Sequence, residues 1–278
     1  MNTPKNIHIA NLHPFEGHPY QVRDDAEMDA LVESIREHGI LTPLIVRPLE
    51  VVPTEYEVIS GHRRLHAAQK AGIFEVPAFV HAVSREEAAI QLVDSNLHRE
   101  RLLPSEKAFA YKMKNDALNH RGKTCGQVGH KSRDGISDTD SGRQVQRYIR
   151  LTHLLPGLLA LVDEGRIAFT VGVELSYLTR EEQQVVLEAI ELYDCTPSYS
   201  QACRLHRDSE MMYASDTRKR ILSVMSEEKP NQREQIRLRR DRLQQYFPAG
   251  YTDRQIEKDI IAGLDLLKKQ RCRDRGAR

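Results

Sequence analysis

The sequence predicts an α+β protein in which a small α/β domain precedes an all-helical region. Over the first hundred residues, short apolar runs such as Leu44-Ile45-Val46 and Tyr56-Glu57-Val58-Ile59 alternate with stretches whose apolar residues recur at helical spacing. From Pro104 onward the strand-like runs end and only helical patterns remain. We therefore expect domains at residues 1–100 and 101–208, followed by a helical, basic region at residues 209–278.

Local signals divide the first domain into elements. Gly39 and Gly72 stand where helix C-termini are expected, because glycine takes the left-handed conformation that ends a helix. Ser84-Arg85-Glu86-Glu87 has the pattern of a capping box and predicts a helix start. The predicted elements are an edge strand at 7–9, a loop at 14–23, a helix at 25–38, strands at 44–46, 56–59 and 76–80, and helices that follow Gly61 and Ser84.

Turn signals divide the helical region in the same way. Pro104 is predicted to open a helix that runs to about Asn119. The polar stretch over residues 120–140 contains four glycines and predicts a loop with at most one short helix. The remaining predicted helices lie at 141–151, at 156–165, from Thr170, after a cap at Thr179, and at 198–207.

The composition restricts the class of protein. The 278 residues are 40% hydrophobic and 29% charged, which suits two or three small folded domains. The net charge is only +1, so a nucleic-acid surface must arise from local clustering. The four cysteines contain no C-x-x-C pair and predict neither a zinc site nor a disulfide framework. With no apolar leader or membrane-spanning run, these features indicate a cytoplasmic protein.

A strand-to-helix junction at Ser60-Gly61-His62-Arg63-Arg64 predicts an anion site. Gly61 allows a sharp turn, the first helical N–H groups are available to a ligand, and the two arginines add forked cationic donors. Arginine near a helix N-terminus costs roughly 0.3–1 kcal/mol against the macrodipole, so a bound polyanion would explain this placement. The alternative is that Arg63 and Arg64 only decorate the first turn of a solvated helix.

The helix over residues 141–151 has the composition of a DNA-recognition helix. Val145, Tyr148 and Ile149 supply its inward side. Arginine and glutamine are the side chains that pair bidentately with guanine and adenine in the major groove. The candidate DNA-binding residues on the remaining faces are Arg143, Gln144, Gln146, Arg147 and Arg150. A solvated amphipathic helix rich in arginine and glutamine is the alternative.

Three sequence boxes in this order resemble the ParB family of DNA-partition proteins. Gln21-Val22-Arg23 is similar to the family's Q-P-R, Gly61-His62-Arg63-Arg64 to its G-E-R-R, and the stretch from Ser95 to Glu106 to its E-N-L-Q-R-x-x-L-x-P-x-E. The resemblance, which is to the plasmid or mobile-element kind, covers about two thirds of the chain. It implies a helix-turn-helix whose second helix lies at residues 141–151 and whose first lies near residues 132–139.

The resemblance also implies a CTP site with Mg²⁺ and a homodimer that uses CTP as a clamp on double-stranded DNA. His62 and Ser95 stand where the family has glutamates, and the loss of two carboxylates near the metal predicts weak or absent CTP hydrolysis. Asn96 would also help to hold the magnesium ion. Carried over by position, the nucleotide-binding residues are Gln21, Arg23, Gly61, His62, Arg63, Arg64, Asn96 and Arg99.

The predicted function is therefore sequence-specific DNA binding in chromosome or plasmid partition. The protein is expected on the nucleoid or a plasmid, with a ParA-type ATPase as a candidate partner. One alternative is a transcriptional regulator or nucleoid-associated protein without a ParA partner. The other is a kinase or nuclease with the sulfiredoxin fold, although no cysteine precedes Cys125 to supply the thiol of sulfiredoxin chemistry.

The last part of the chain is rich in basic clusters. They predict non-specific phosphate contact or, alternatively, solvated helix faces. The clusters lie at 218–220, 237–242 and 268–273. An apolar stripe within residues 252–267 predicts pairing with a second copy or packing on the same chain.

Overall fold

The computed structural model describes residues 3–99, 102–124, 136–137, 139–211 and 217–227, with short pieces at 246–247, 255–256 and 258–264. The chain divides into two compact units, Met1–Glu227 and Glu228–Arg278. The helices and strands given below belong to the first unit. The basic clusters predicted at 237–242 and 268–273 lie outside the described residues. The fold is α+β, with a mixed-sheet domain followed by a largely helical region, as the sequence predicts.

A five-stranded mixed sheet forms the centre of the N-terminal domain. Its strands are β1 (Lys5–His8), β2 (Leu12–Pro14), β3 (Leu44–Pro48), β4 (Tyr56–Ser60) and β5 (Glu75–Val80). In the order β1-β5-β3-β4-β2, the β1/β5 and β3/β4 pairs are antiparallel, and the β3/β5 and β2/β4 pairs are parallel. Strand β2 is absent from the sequence prediction, because three residues are too few to display the period-two alternation of a strand.

Helices cover both faces of this sheet. They are α1 (Ala26–His38), α2 (His62–Ala71) and α3 (Arg85–Leu97). On one face, Met28 of α1 and Leu65 of α2 share a core with Val58 of β4. On the other face, Leu92 of α3 shares a core with Ile59. Neighbouring residues of β4 thus enter opposite layers, because successive side chains of a strand point to opposite sides.

The helix ends of this domain follow the predicted caps. At the start of α1, Met28 N donates a hydrogen bond of 2.9 Å to Asp25 Oδ1. The capping box before α3 is confirmed, with Glu87 N donating to Ser84 Oγ (3.2 Å) and Ser84 N donating to Glu87 Oε2 (3.4 Å). Gly72 ends α2 in the left-handed conformation. Sequence predicts such caps well because they depend on residues close together in the chain.

Seven helices follow the sheet domain. They are α4 (Pro104–Thr124), α5 (Gly142–Leu151), α6 (Pro156–Asp163), α7 (Phe169–Leu175), α8 (Arg180–Tyr193), α9 (Tyr199–Met211) and α10 (Thr217–Ser226). This count covers the described residues of the first unit. Their common core includes Leu158, Leu175, Val186, Leu205 and Ile221.

The structure corrects the predicted end of one helix and the predicted end of the helical core. Helix α4 continues to Thr124, past the expected end at Asn119. Glycine at position 122 costs about 1 kcal/mol relative to alanine, which is too little to end a long helix. The helical core also extends past residue 208, because Ile221 of α10 packs with α8 and α9.

The predicted basic cluster at 218–220 forms ion pairs inside the helical region. Arg218 Nη1 lies 2.6 Å from Glu188 Oε2, and Arg220 Nη2 lies 2.7 Å from Glu182 Oε1. Burial alone would raise the pKa of Glu182, but hydrogen bonds from Ser209, Thr179 and Arg220 lower it. These two arginines therefore link α10 to α8, and phosphate contact by this cluster stays a prediction.

A buried ion pair joins two central strands of the sheet. Arg47 Nε lies 2.7 Å from Glu57 Oε2, directly across β3 and β4, and both side chains are 6% exposed. Glu57 Oε1 also accepts a hydrogen bond of 3.0 Å from Glu16 N, in the loop after β2. Both oxygens of the buried carboxylate are therefore bonded.

Arg47→Met should lower the free energy of unfolding by about 3–5 kcal/mol, because it leaves the Glu57 carboxylate buried without its cation. Urea denaturation followed by circular dichroism measures the change. Arg36→Met is the matched control, since Arg36 pairs with Glu33 in solvent and the loss of such a pair costs at most about 1 kcal/mol. Equal losses in the two variants would contradict the importance of the buried pair.

Candidate functional sites

The predicted turn between β4 and α2 is formed by Gly61. Its φ of 104° is in the left-handed region, and His62 is the first residue of α2. A Cβ at this position would lie 3.0 Å from Leu44 Cγ and 3.2 Å from Arg64 Nη2. Both the backbone conformation and the close packing therefore require glycine.

A cavity of about 120 Å³ lies at this turn. All of the predicted nucleotide-binding residues line it except Arg23, which is exposed in the loop before α1. None of the described residues that line the cavity is acidic. The lining residues are His18, Tyr20, Gln21, Val22, Ser60, Gly61, His62, Arg63, Arg64, Asn96 and Arg99.

The three arginines of the cavity are held in different ways. Arg63 Nη2 lies 3.4 Å from Asp25 Oδ1 and 3.5 Å from Glu27 Oε2, and its side chain is 35% exposed. Arg64 and Arg99 have uncharged partners. Arg64 Nη1 donates to the carbonyl oxygens of Thr42 and Pro43, with a distance of 2.9 Å to the second. The guanidinium of Arg99 lies over the ring of Tyr20, 5.7 Å from its centroid.

Two further lining residues, His18 and Tyr20, are absent from the sequence prediction. The imidazole ring of His18 lies 3.8 Å, centroid to centroid, from that of His62. Tyr20 packs edge-on against His18 at 5.6 Å. Burial, the nearby His18 and Arg99 together lower the pKa of His62 to about 3, and burial also lowers the pKa of His18. His18 and Tyr20 shortly precede Gln21 of the first sequence box, and this proximity was the only sequence feature that could have indicated them.

Asn96 presents one suitable atom for a cation. The residue is 8% exposed, and its Nδ2 donates to Leu92 O (2.7 Å) and Ser95 Oγ (3.1 Å). Its side-chain oxygen is therefore the atom that suits Mg²⁺. Among the described residues, no group of three or more His, Cys, Asp or Glu side chains is placed to hold a metal ion.

The loop that carries Gln21 is fastened from two sides. Glu106 of α4 accepts hydrogen bonds from Gln21 N (3.0 Å) and Leu103 N (3.1 Å). Asp24 Oδ1 lies 2.9 Å from both His66 Nε2 and Lys70 Nζ of α2. The position of the cavity wall thus depends on both α2 and α4.

The candidate recognition helix α5 is present and is capped as its sequence suggests. Ser141 Oγ accepts a hydrogen bond of 3.3 Å from Gln144 N, and Val145 is fully buried. Of the five predicted DNA-binding residues, only Arg143 is exposed, and the other four are half-buried.

Two arginines of α5 are engaged within the protein. Arg150 Nη2 donates to Ser176 O (2.9 Å), and its guanidinium lies 4.0 Å from the ring centroid of Tyr177. Arg147 lies over the ring of Phe169 at 5.2 Å. Arg150 therefore fastens α5 to the end of α7, a contact that the helical pattern of the sequence cannot reveal.

The predicted first helix of the helix-turn-helix lies largely outside the described residues. The described parts, 136–137 and 139–140, form bends next to α5. Ser137 Oγ accepts hydrogen bonds from Thr139 N and Asp140 N, and Tyr111 of α4 donates to Ser137 Oγ at 3.0 Å. This turn is fixed to α4.

In the described part of the chain, no helix is long and apolar enough to cross a membrane.

Comparison with known proteins gives consistent matches. Residues 1–97 match the model of the ParB N-terminal domain. A probable chromosome-partitioning protein ParB of Coxiella burnetii is 31% identical over 163 residues, which are 59% of this chain and 52% of that protein. A nucleoid occlusion protein of Listeria monocytogenes is 32% identical over 185 residues, 66% of this chain and 61% of that protein. The chain thus spans between about half and three fifths of these relatives.

Two crystal structures of the C-terminally truncated ParB from Caulobacter crescentus are also similar. The complex with the centromeric parS site has a TM-score of 0.43 and 20% identity, over 73% of this chain and 98% of that chain. The complex with CTP-γ-S has a TM-score of 0.33 and 23% identity, over 68% and 98%.

The fold and the cavity define an α+β protein whose N-terminal domain carries an arginine-lined cavity. By the match over residues 1–97, this domain is a ParB N-terminal domain.

Gly61→Ala should destabilise the protein more than Gly72→Ala. Both glycines have a positive φ, which costs alanine about 1–2 kcal/mol, but only at Gly61 would the new Cβ meet neighbouring atoms within 4 Å. We expect a loss of about 2–4 kcal/mol for Gly61→Ala once overpacking is included, and about 1 kcal/mol for the control. Urea denaturation of both variants tests this, and equal losses would show that Leu44 and Arg64 adapt freely.

Proposed function

We propose that the chain binds CTP with Mg²⁺ at the Gly61 cavity and sequence-specific double-stranded DNA through α5, and acts in DNA partition as a homodimer. The observation that carries the proposal is the cavity itself. It combines three arginines with a helix N-terminus and contains no acidic residue among its described lining. Such an arrangement suits a polyphosphate, because the N–H groups and forked guanidinium groups all donate to anionic oxygens.

Each part of a bound nucleotide has a candidate partner. The turn at Gly61 and the first N–H groups of α2 would hold phosphate oxygens, with Arg63 and Arg99 at either side. Gln21 and Tyr20 lie in the same lining and suit the nucleoside. The choice of CTP follows from the family resemblance.

Magnesium would be held mainly by the nucleotide. Mg²⁺ prefers oxygen ligands and usually keeps several waters, so the Asn96 oxygen and the phosphate oxygens are sufficient partners. When bound, the ion would neutralise phosphate charge. The lining supplies no carboxylate to activate water, and His62, with a pKa lowered to about 3 by burial, His18 and Arg99, is a weak base. We therefore propose binding with weak or absent hydrolysis.

DNA reading is assigned to α5, with Arg143 as the principal base contact. Arg143 is exposed in the first turn of the helix, where recognition helices meet base edges. Gln144 and Arg147 bond to each other (3.3 Å), and Arg150 is fixed to α7. We propose that Gln144, Gln146 and Arg147 make flanking contacts and that Arg150 positions the helix.

The cellular role is proposed from the relatives. The Coxiella protein is named for chromosome partitioning, and partition with a ParA-type ATPase is the first candidate. The Listeria protein, which matches a larger part of the chain, favours nucleoid occlusion as the second candidate. Recovery of a ParA-type ATPase on the immobilised full chain would favour the first role.

Arg63→Ala should weaken CTP binding at least about tenfold, because a hydrogen bond to a charged group contributes about 1.5–3 kcal/mol. Isothermal titration with CTP, ATP and GTP in magnesium measures this, and we expect the unchanged chain to prefer CTP. Arg36→Ala, which removes an exposed arginine of α1, is the control. If the Arg63 and Arg36 variants bind CTP with equal affinity, the cavity is not the nucleotide site.

Arg143→Ala should reduce discrimination between bases by about 1–3 kcal/mol and leave CTP affinity unchanged. Selection from a random duplex pool with the unchanged chain supplies the preferred sequence, on which both proteins are then titrated. Arg166→Ala, an exposed arginine that follows α6, is the control. If no sequence is enriched, or if Arg143→Ala binds it as tightly as the control, α5 is not the reader.

A further inference from the structure

The cavity contains a pair of histidines in direct contact. His18 stands in the loop after β2 and His62 begins α2, and their rings are 3.8 Å apart with an interplanar angle of 38°. His62 Nε2 is buried and has no hydrogen-bond partner among the described residues. Two imidazoles therefore occupy an anion site that already holds three arginines.

The surroundings of the pair favour the neutral imidazoles when no anion is bound. Arg99, after α3, faces both rings, and the ring of His18 opposes a charge on His62. Three influences act in the opposite direction. The backbone of Val58 in β4 hydrogen-bonds to His62, the backbone of Tyr20 hydrogen-bonds to His18, and Glu106 of α4 faces His18. The N-terminal end of α2 also disfavours a cation at His62. Burial is the largest of these effects and lowers the pKa of both groups.

A bound triphosphate would reverse this balance. It places several negative charges within a few ångströms of both rings, and a nearby opposite charge stabilises the protonated form of an imidazole. The buried Nε2 of His62 would then gain an acceptor for its proton. Because no acidic residue is found in the described lining, the nucleotide itself would supply this negative charge.

We propose that nucleotide binding at this cavity is coupled to protonation of the His18–His62 pair, so that affinity for CTP rises as the pH falls. The inference rests on the proposed nucleotide function. The sign follows from linkage. When a ligand raises the pKa of a protein group, that group takes up protons as the ligand binds. The affinity for the ligand therefore increases as the pH falls from the pKa of the bound state towards the pKa of the free state. Each proton taken up changes the dissociation constant by up to about tenfold per pH unit.

The test is titration calorimetry of the full chain with CTP in saturating magnesium, at one neutral pH, in two buffers with very different ionisation enthalpies. We expect the apparent binding enthalpy to differ between the buffers by an amount that corresponds to uptake of about one proton. The dissociation constant should fall about tenfold between pH 8 and pH 6. In His18→Gln/His62→Gln, the buffer dependence should shrink to that of the nucleotide's own phosphate. His38→Gln, an exposed histidine of α1, should behave as the unchanged chain.

A direct measurement covers the case in which the double variant does not fold. Nitrogen NMR of ¹⁵N-histidine-labelled full chain distinguishes neutral from protonated rings, with His18 and His62 assigned through the single variants. We expect two neutral rings without CTP and at least one protonated ring with it. Binding of CTP with equal enthalpies in both buffers, or with both rings neutral, would overturn the inference and leave the nucleotide function intact. The absence of any CTP binding would instead overturn the proposed function.

Discussion

The left-handed turn at Gly61 is the constraint on which the cavity depends. Because Gly61 has no Cβ, Leu44 of β3 and the guanidinium of Arg64 pack where a side chain would stand. Arg64 is thereby held against the loop before β3, where it donates to the carbonyl oxygens of Thr42 and Pro43. The close approach of Leu44 and Arg64 to Gly61 thus depends on the absence of a Cβ at this turn. Arg63, the residue before Arg64, is left partly exposed.

The first turn of α4 connects this cavity to the helical region. Glu106 accepts a hydrogen bond from Gln21 N in the cavity wall, and Ser105 N donates to Asp163 Oδ1 at the end of α6 (2.9 Å). Further along the same helix, Tyr111 bonds to Ser137 in the turn before α5. The change in composition near residue 100 therefore marks the end of the strands, whereas the packing continues through it.

The sequence predicts features that depend on neighbouring residues better than features that depend on contacts between distant parts of the chain. The Gly61 turn and the Ser84 capping box depend on neighbouring residues, and the sequence predicts both. The contact of His18 with His62 depends on how β2, β4 and the loop after β2 assemble, so no local pattern indicates it. Arg150 has the spacing of a DNA contact, but its bond to Ser176 is set by the packing of α5 on α7. The positions of elements were thus predictable, and the partners of individual side chains were not.

The three cavity arginines differ in their contacts. These contacts determine how readily each arginine could engage the proposed nucleotide. Arg64 donates to the backbone carbonyl groups of Thr42 and Pro43, and Arg99 lies over an aromatic ring, so the described partners of both are uncharged. Arg63 contacts Asp25 and Glu27 at 3.4 and 3.5 Å, at a partly exposed position where water screens the attraction. A phosphate can replace those carboxylates at little cost and with better geometry. The net charge of +1 is therefore compatible with the proposed anion binding, because three arginines are concentrated in one cavity.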